Sequence, residues 1–228
     1  MEWPLFAGVE ERHVRDVLDI ARRRNFGSGE VVFHQGDPAD TLHLIRSGRV
    51  AVRLDAGRGE SVIAAVLGPG EMFGELALLD EDAPTRSATI AALEPLETLS
   101  VHQLDFSRLR EKSPEAANVL IAVLAAQVRR LSQQLGEALY VPADRRVLRR
   151  VVDMAKVYAD GSEDGDGSIS IPLTQEHFAD LAGTSRITVN RTLRAEQEKG
   201  TLDLARGRTI IADLDAIKSR AYGRPPVS

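Results

Sequence analysis

The apolar positions of this chain change their period twice. From Glu10 to Arg24, Val14, Val17, Leu18 and Ala21 recur at helical spacing, which predicts a short amphipathic helix. From Glu30 to about Val101 the runs shorten. Val31–Phe33, Leu42–Ile45, Val50–Leu54 and Ser61–Leu67 each lead into a glycine, at Gly36, Gly48, Gly57 and Gly68. Strands with turn residues at this spacing predict a sandwich or closed barrel. Ser47-Gly48-Arg49 reads as a tight hairpin, and Ala88–Leu93 and Thr98–Val101 continue the sheet.

Helical spacing returns at Ser113-Pro114-Glu115, a hydroxyl cap, a first-turn proline and an acid against the helix dipole. Ala117, Ile121, Leu124, Val128, Leu131, Leu135 and Ala138 then follow in alternating steps of four and three. A helix packed only on its own domain needs no such strict repeat. The seam predicts a parallel two-helix coiled coil to about Leu139, and therefore a homodimer through residues 113–140. Pro142 ends this helix, which places a hinge at Leu139–Ala143, and Asp144 caps a helix over Arg145–Tyr158.

Thr174 caps the next helix, with Phe178, Leu181 and Ala182 inward. Gly183 supplies a positive-φ turn, and Ser185 caps a second helix that buries Val189, Thr192 and Leu193. Two short helices joined by a glycine turn form a helix-turn-helix. Leu202–Leu204 and Thr209–Ile211, around Arg206-Gly207-Arg208, read as a β-hairpin wing. The chain thus divides into residues 1–112, 113–140 and 141–228, an α+β protein with a β sensor domain, a dimerisation helix and a winged helix-turn-helix.

Composition narrows the chemistry. The 228 residues contain no cysteine, which excludes disulfides, iron–sulfur clusters, cysteine-ligated haem and thiol nucleophiles. His13, His34, His43, His102 and His177 are scattered without metal-ligand spacing, so no metal is expected. A metalloenzyme on a similar sheet would need clustered ligands, and no enzyme is expected. Counted from Asp160, the acidic loop 160–167 offers Ile171 where a calcium loop needs its bidentate glutamate. The longest apolar run, Val119–Ala126, is far shorter than the ~20 residues that span a bilayer. The start Met1-Glu2-Trp3-Pro4 has no signal-peptide pattern, and a cytoplasmic protein with no membrane partner is expected.

The net charge of −5 is unevenly spread. Residues 1–140 hold 15 basic and 21 acidic side chains, while residues 141–228 hold 14 and 13. Ser185–Ala195 carries Arg186, Arg191 and Arg194 with no acid, so positive charge is focused on the second helix of the pair. That helix enters the DNA major groove in a helix-turn-helix. Ser185, Arg186, Ile187, Asn190 and Arg191 are its exposed candidates. Arg186 and Arg191 suit guanine edges, Asn190 adenine or a phosphate, and Ile187 a thymine methyl. Thr174, Thr184, Arg206 and Arg208 are placed for backbone phosphates. Two such helices in a dimer predict a palindromic double-stranded operator and steep salt dependence.

The stretch Gly70-Glu71-Met72-Phe73-Gly74-Glu75-Leu76-Ala77-Leu78-Leu79, closed by Thr85-Arg86-Ser87-Ala88, reads as an anion-holding loop. Gly74 permits close backbone approach, and the turn Glu75–Leu79, with Leu76, directs free N–H groups at its start. Arg86 adds a cationic fork and Ser87 a hydroxyl. Glu75 suits a ligand that also offers hydroxyls, as a sugar phosphate does.

F-G-E-L-A-L-L followed by R-S-A resembles the phosphate-binding cassette of the cyclic-nucleotide-binding domain. From Leu5-Phe6-Ala7-Gly8 to the wing, the chain resembles the cyclic-AMP receptor protein/fumarate-nitrate regulator (Crp/Fnr) superfamily of bacterial transcription factors. The resemblance implies a jelly-roll sensor domain and control by a cyclic nucleotide, most simply cAMP. It gives Gly74 and Glu75 the ribose, Arg86 and Ser87 the cyclic phosphate, and Ser132 a nucleotide in the partner subunit. Arg186 and Arg191 match base-reading arginines. Leu131 stands where the cyclic-AMP receptor has a threonine that contacts the adenine amine, and Ile187 where its best-known member has a glutamate that accepts from cytosine. RNA polymerase is implied as a further partner, facing the acidic loop. The alternative is a regulator of this fold with another effector or none.

Overall fold

The structure is a computed structural model and describes residues 10–57, 60–78, 85–113, 115–159 and 168–223. The segment Leu5-Phe6-Ala7-Gly8, Leu79, Pro114 and the acidic loop 160–167 lie outside the described residues. The chain forms two compact units that meet in sequence between Leu131 and Ser132.

The first unit opens with α1 (Glu11–Ile20), shorter than the helix predicted to Arg24. Arg22–Phe26 is instead strand β1. Cross-strand pairing overrides helix propensity there, since β1 lies antiparallel to β8 (Leu96–His102) from Arg22↔Ser100 to Phe26↔Leu96. The other strands are β2 (Val31–Phe33), β3 (Thr41–Ser47), β4 (Val50–Gly57), β5 (Glu60–Leu67), β6 (Met72–Phe73) and β7 (Thr89–Ala92). They form two four-stranded sheets, β1-β8-β3-β6 and β2-β7-β4-β5, which make a jelly roll.

Ser47-Gly48-Arg49 does not close a hairpin, because β3 and β4 belong to different sheets. The chain turns a corner there. Gly48 has φ 81°, and a Cβ would stand 2.3 Å from the Pro95 carbonyl oxygen, so only glycine lets the chain pass.

The sheet β1-β8-β3-β6 is covered on both faces, which explains the unbroken buried run from Leu42 to Ile45. Leu42, Leu44, Met72 and Val101 pack with Val17 of α1, with Phe106 and Leu109 of α2 (Gln103–Lys112), and with Leu120 of α3 (Glu115–Tyr140). Ile45 and Phe73 pack on the opposite side with Val50, Leu67 and Ile90 of the other sheet. Ser113, expected as a cap for α3, has its Oγ 2.5 Å from His13 Nδ1.

The long helix divides its apolar residues. Leu120 is 2% exposed, and Val123 and Leu124 pack partly on the first core. Ile121, Val128, Leu131, Leu135 and Leu139 are 50–65% exposed and form an open stripe. The predicted seam position Leu124 therefore serves its own domain, and Leu139 joins the stripe.

In the second unit, α4 (Ala143–Ala159) starts two residues before the predicted Arg145 and buries Val147, Val151, Val152 and Ala155. Around it lie α5 (Gln175–Ala182), α6 (Arg186–Glu198), α7 (Leu214–Tyr222) and a three-stranded sheet in the order β10-β11-β9. Its strands are β9 (Ile169–Ile171), β10 (Leu202–Ala205) and β11 (Arg208–Ile211).

The carboxylate of Glu137, 5% exposed, ties the last turns of the long helix to α4. Arg149 Nη1 donates to its Oε1 at 3.0 Å, and Arg150 Nη2 donates to its Oε2. Arg149 also lies 4.9 Å above the Tyr222 ring. Removing one member of a buried ionic cluster leaves the others uncompensated. Glu137→Gln should cost the second unit about 3 kcal/mol, read as a lower urea midpoint by far-ultraviolet circular dichroism. A midpoint equal to that of the unchanged protein would show that the cluster contributes nothing.

Candidate functional site

Gly74 lies between β6 and the 3-10 turn Glu75–Leu78, with φ 81°. An added Cβ there would meet Arg86 Nη1 at 2.7 Å and the Thr41 carbonyl oxygen at 3.0 Å. The missing side chain is what lets the Arg86 guanidinium lie against the turn.

Arg86 is 6% exposed, and its fork is held on two sides. Nη1 donates to the Thr41 carbonyl at 2.6 Å and Nη2 to Thr41 Oγ1 at 2.8 Å. Its Cζ lies 4.0 Å above the Phe33 ring. Nε is buried and makes no hydrogen bond among the described residues. Burial pulls the Arg86 pKa down, against the opposing charges of Asp40, Asp37 and Glu75. A group that dry and incompletely bonded is poised for an anion.

Glu75 is 5% exposed, and its Oε1 accepts from Gln127 Nε2 of α3 at 2.8 Å. No ion pair joins Glu75 to Arg86 among the described residues. Both line one cavity of about 270 Å³ with Gly74, Leu76, Thr85 and Ser87, closed by Gln127, Arg130 and Leu131 of α3. That volume is near the lower end of small-ligand sites, roughly 300 Å³. The cavity thus offers an acceptor and a cation to one ligand, with Val52, Leu67 and Ile90 as an apolar wall.

Every cavity residue expected from the sequence is brought together except Ser132, which is exposed on α3. Sequence reasoning missed Gln127, Arg130, Thr41 and Phe33. Gln127 was within reach, because it lies one helical turn before Leu131 and so on the same face. Nothing local in the sequence announces Thr41, which reaches Arg86 across 45 positions.

Beside the cavity, His43 is 6% exposed and stacked on Phe73, centroids 4.9 Å apart and planes 5° apart. Burial lowers its pKa to about 4, helped by the charges of Arg86 and Arg24.

In the second unit, Thr174 Oγ1 accepts from the His177 N–H at 3.2 Å and caps α5. Gly183 takes the left-handed conformation, φ 56°, that turns the chain into α6, where Ser185 Oγ accepts from the Thr188 N–H at 3.2 Å. Arg146 of α4 fastens this turn. Its Nε donates to the Ala182 carbonyl at 3.0 Å, Nη2 to the Gly183 carbonyl at 3.0 Å and Nη1 to the Val141 carbonyl at 2.9 Å. Sequence reasoning missed this anchor because its acceptors are main-chain oxygens.

Arg186, Ile187 and Arg191 are exposed on α6, Ile187 at 81%. Asn190, expected to read a base or phosphate, donates from Nδ2 to Gln175 Oε1 of α5 at 2.9 Å and so braces the two helices. Arg206 and Arg208 are exposed at the wing, where Ala205 pairs with Arg208. Thr184 is half-buried. This unit presents a basic helix face and a basic hairpin tip.

No group of three potential metal ligands, and no helix long and apolar enough to cross a membrane, occurs among the described residues.

The cyclic nucleotide-binding domain family matches residues 23–113, and the Crp-like helix-turn-helix domain family matches residues 145–220. The chain is 33% identical over 220 residues to the cyclic AMP receptor protein of Thermus thermophilus, covering 96% of this chain and 97% of that one. It is 29% identical to the CRP-like cAMP-activated global transcriptional regulator of Mycobacterium tuberculosis, covering 95% and 96% of the two chains. Among solved structures, the Thermus thermophilus catabolite activator protein matches with TM-score 0.54 and 32% identity, over 97% of this chain and all of that one. The c-di-GMP responsive regulator CLP of Xanthomonas campestris shares the fold, with TM-score 0.76 and 20% identity over 89% and 99% of the chains.

The depressed His43 pKa has a consequence for stability. Between the ordinary value of 6.5 and the native value of about 4, the unfolded chain takes up a proton that the native state refuses. Stability should therefore fall as pH drops through this window, by up to roughly 3 kcal/mol, with no contribution from His43 above it. Urea midpoints at a series of pH values should show a shallower acid slope for His43→Phe than for the unchanged protein. Equal slopes would remove His43 as the cause.

Proposed function

The chain belongs to the Crp/Fnr family of transcription regulators, and we propose that it works as a homodimer that binds a cyclic nucleotide, most simply cAMP, and thereby controls its grip on a palindromic operator. One observation carries this reading. Gly74, Glu75, Arg86 and Ser87 line a single cavity with Gln127, Arg130 and Leu131 of the long helix. The groups present fit such a ligand. Arg86 supplies charge for the cyclic phosphate, with Ser87 beside it. Glu75 retains Oε2 as an acceptor for a ribose hydroxyl, while Gln127 holds Oε1.

The base end differs from the family pattern. Leu131 has no hydrogen-bonding group, whereas the neighbouring Arg130 lines the same cavity and carries a buried Nε with no partner among the described residues. Arg130 is therefore the polar group available to a purine edge. Ser132, exposed on the same helix, is assigned to the nucleotide of the second subunit.

The open stripe of Ile121, Val128, Leu131, Leu135 and Leu139 supports pairing of two long helices. Ligand at the cavity bears on α3 through Gln127 and Leu131, and the segment Leu139–Ala143 absorbs the change. A ligand that favours one arrangement of two recognition helices gains from DNA what it gives to DNA, since such coupling is reciprocal. Arg186 and Arg191 read guanine edges, Ile187 a thymine methyl, and Thr174, Thr184, Ser185, Arg206 and Arg208 hold phosphates. The cytoplasm is the compartment that this role requires, and RNA polymerase is the further partner.

Calorimetric titration tests the ligand. Cyclic AMP should bind the unchanged protein, and Arg86→Ala should abolish binding. Leu131→Thr should tighten it several-fold, the worth of one added hydrogen bond, about 1 kcal/mol. Neither heat nor a shift in thermal midpoint with cyclic AMP or cyclic GMP at millimolar concentration would leave the family fold with another effector or none.

Selection from random oligonucleotides, with and without cyclic AMP, tests the operator. A palindrome should emerge, enriched by the nucleotide. Arg191→Ala should cost about 1–3 kcal/mol and relax one position of each half-site. Arg208→Ala should weaken all sequences alike. A product without two-fold symmetry would contradict the dimer.

A further inference from the structure

The jelly roll has a second opening whose inner wall is polar where a barrel interior is ordinarily apolar. Residues directly opposed across an antiparallel sheet share a face. Arg22 opposes Ser100, Ser100 opposes His43, Arg24 opposes Thr98, and Thr41 opposes His102. Thr98 also opposes Ile45, a member of the core between the sheets. This polar row therefore lies on the inward face. Arg23, one residue out of phase, lies on the other face and pairs with Glu97 at 2.5 Å.

Apart from the fully buried Thr98, the row lines an open cleft of about 770 Å³ with Phe26, Phe33 and Arg108. Three carboxylates, Asp37, Asp40 and Asp105, also line the cleft. Asp105 pairs with Arg108 at 3.2 Å, Asp40 lies 3.7 Å from His102, and Asp37 accepts from the His34 N–H at 2.8 Å. Arg22 and Arg24 form no ion pair among the described residues. Two uncommitted guanidiniums, two apart on one strand, thus face an aromatic floor. His43 lies 6.4 Å from Phe26 and 6.1 Å from Phe33, ring to ring.

We propose that this cleft is a second ligand site, in which Arg22 and Arg24 hold the phosphate of a small phosphorylated molecule whose apolar part lies over Phe26 and Phe33. Guanidinium pairs suit phosphate because their donors match its oxygens. The site is separate from the nucleotide cavity but adjoins it, since Phe33 and Arg86 line both. A ligand in the cleft therefore acts on the guanidinium that the nucleotide uses.

Phenyl phosphate is the probe, because it has the ring and the phosphate but no nucleoside. The readout is the histidine ring spectrum of the full-length protein with labelled histidine, titrated at constant ionic strength. The His43 and His102 signals should move with saturation, while His13 and His177 stay. The double substitution Arg22→Gln with Arg24→Gln changes two exposed side chains, and its thermal midpoint checks that it folds. It should weaken phenyl phosphate by at least about tenfold and leave cyclic AMP titration as in the unchanged protein. Inorganic phosphate, without the ring, should bind more weakly than phenyl phosphate. Histidine signals that do not move at millimolar probe overturn the proposal, as does equal binding by the double variant. Neither result depends on whether a cyclic nucleotide binds.

Discussion

A guanidinium cannot be kept out of water without partners, and the first unit is organised around that constraint at Arg86. The charge is stable there because Thr41 supplies two oxygens and Phe33 a ring face. Those partners come from β3 and β2, so the ion draws the two sheets together at one point. Gly74 is the complement of this arrangement, since any side chain there would occupy the space of Arg86 Nη1. Glu75 follows directly in the chain and enters the same cavity without pairing to the cation. The separation of acid and base leaves both groups lining one open cavity.

What was readable from sequence was whatever is local. The cassette from Phe73 to Ser87 and the helix pair from Thr174 to Arg191 each compress their geometry into a few residues, with glycine at the one position that demands positive φ. Periodicity also gave most strands. It failed at Arg22–Phe26, where three arginines look like the end of a helix and strand pairing with β8 decides otherwise. It failed at Gly48, since a turn residue does not reveal whether the next strand returns to the same sheet. The partners of buried charge were the least legible. Thr41 for Arg86 and the carbonyls of Ala182 and Gly183 for Arg146 are choices of tertiary structure, made by acceptors without a distinctive side-chain signature.

The long helix shows how one amphipathic stretch meets two demands. Leu120, Val123 and Leu124 complete the core of the first unit, while Leu131 and Leu135 remain open. A face wider than one seam follows from this division, and it explains why the heptad pattern is clear in sequence although Leu124 is used internally. The same helix delivers Gln127 to Glu75 and, ten residues later, Glu137 to Arg149 and Arg150. Gln127 and Glu137 therefore fasten one unit each, and the apolar residues either pack inward or stand in the open stripe.

The two departures from the family pattern fall on the same kind of position. On the proposed reading, Leu131 and Ile187 both stand where the family has a polar group that selects a base, one in the effector and one in the operator. The groups proposed to hold phosphate and sugar are retained in each case, namely Arg86, Ser87 and Glu75 on one side and the wing arginines Arg206 and Arg208 on the other. Phosphate contacts set affinity and position, whereas base contacts set identity. Substituting a hydrophobe at a reading position removes one hydrogen bond without unpairing a buried partner in the protein, so the fold survives and the cost in binding is limited to that bond, about 1 kcal/mol. Specificity is then free to move to neighbouring groups that already line the site. Arg130 is such a group in the cavity, one residue from Leu131.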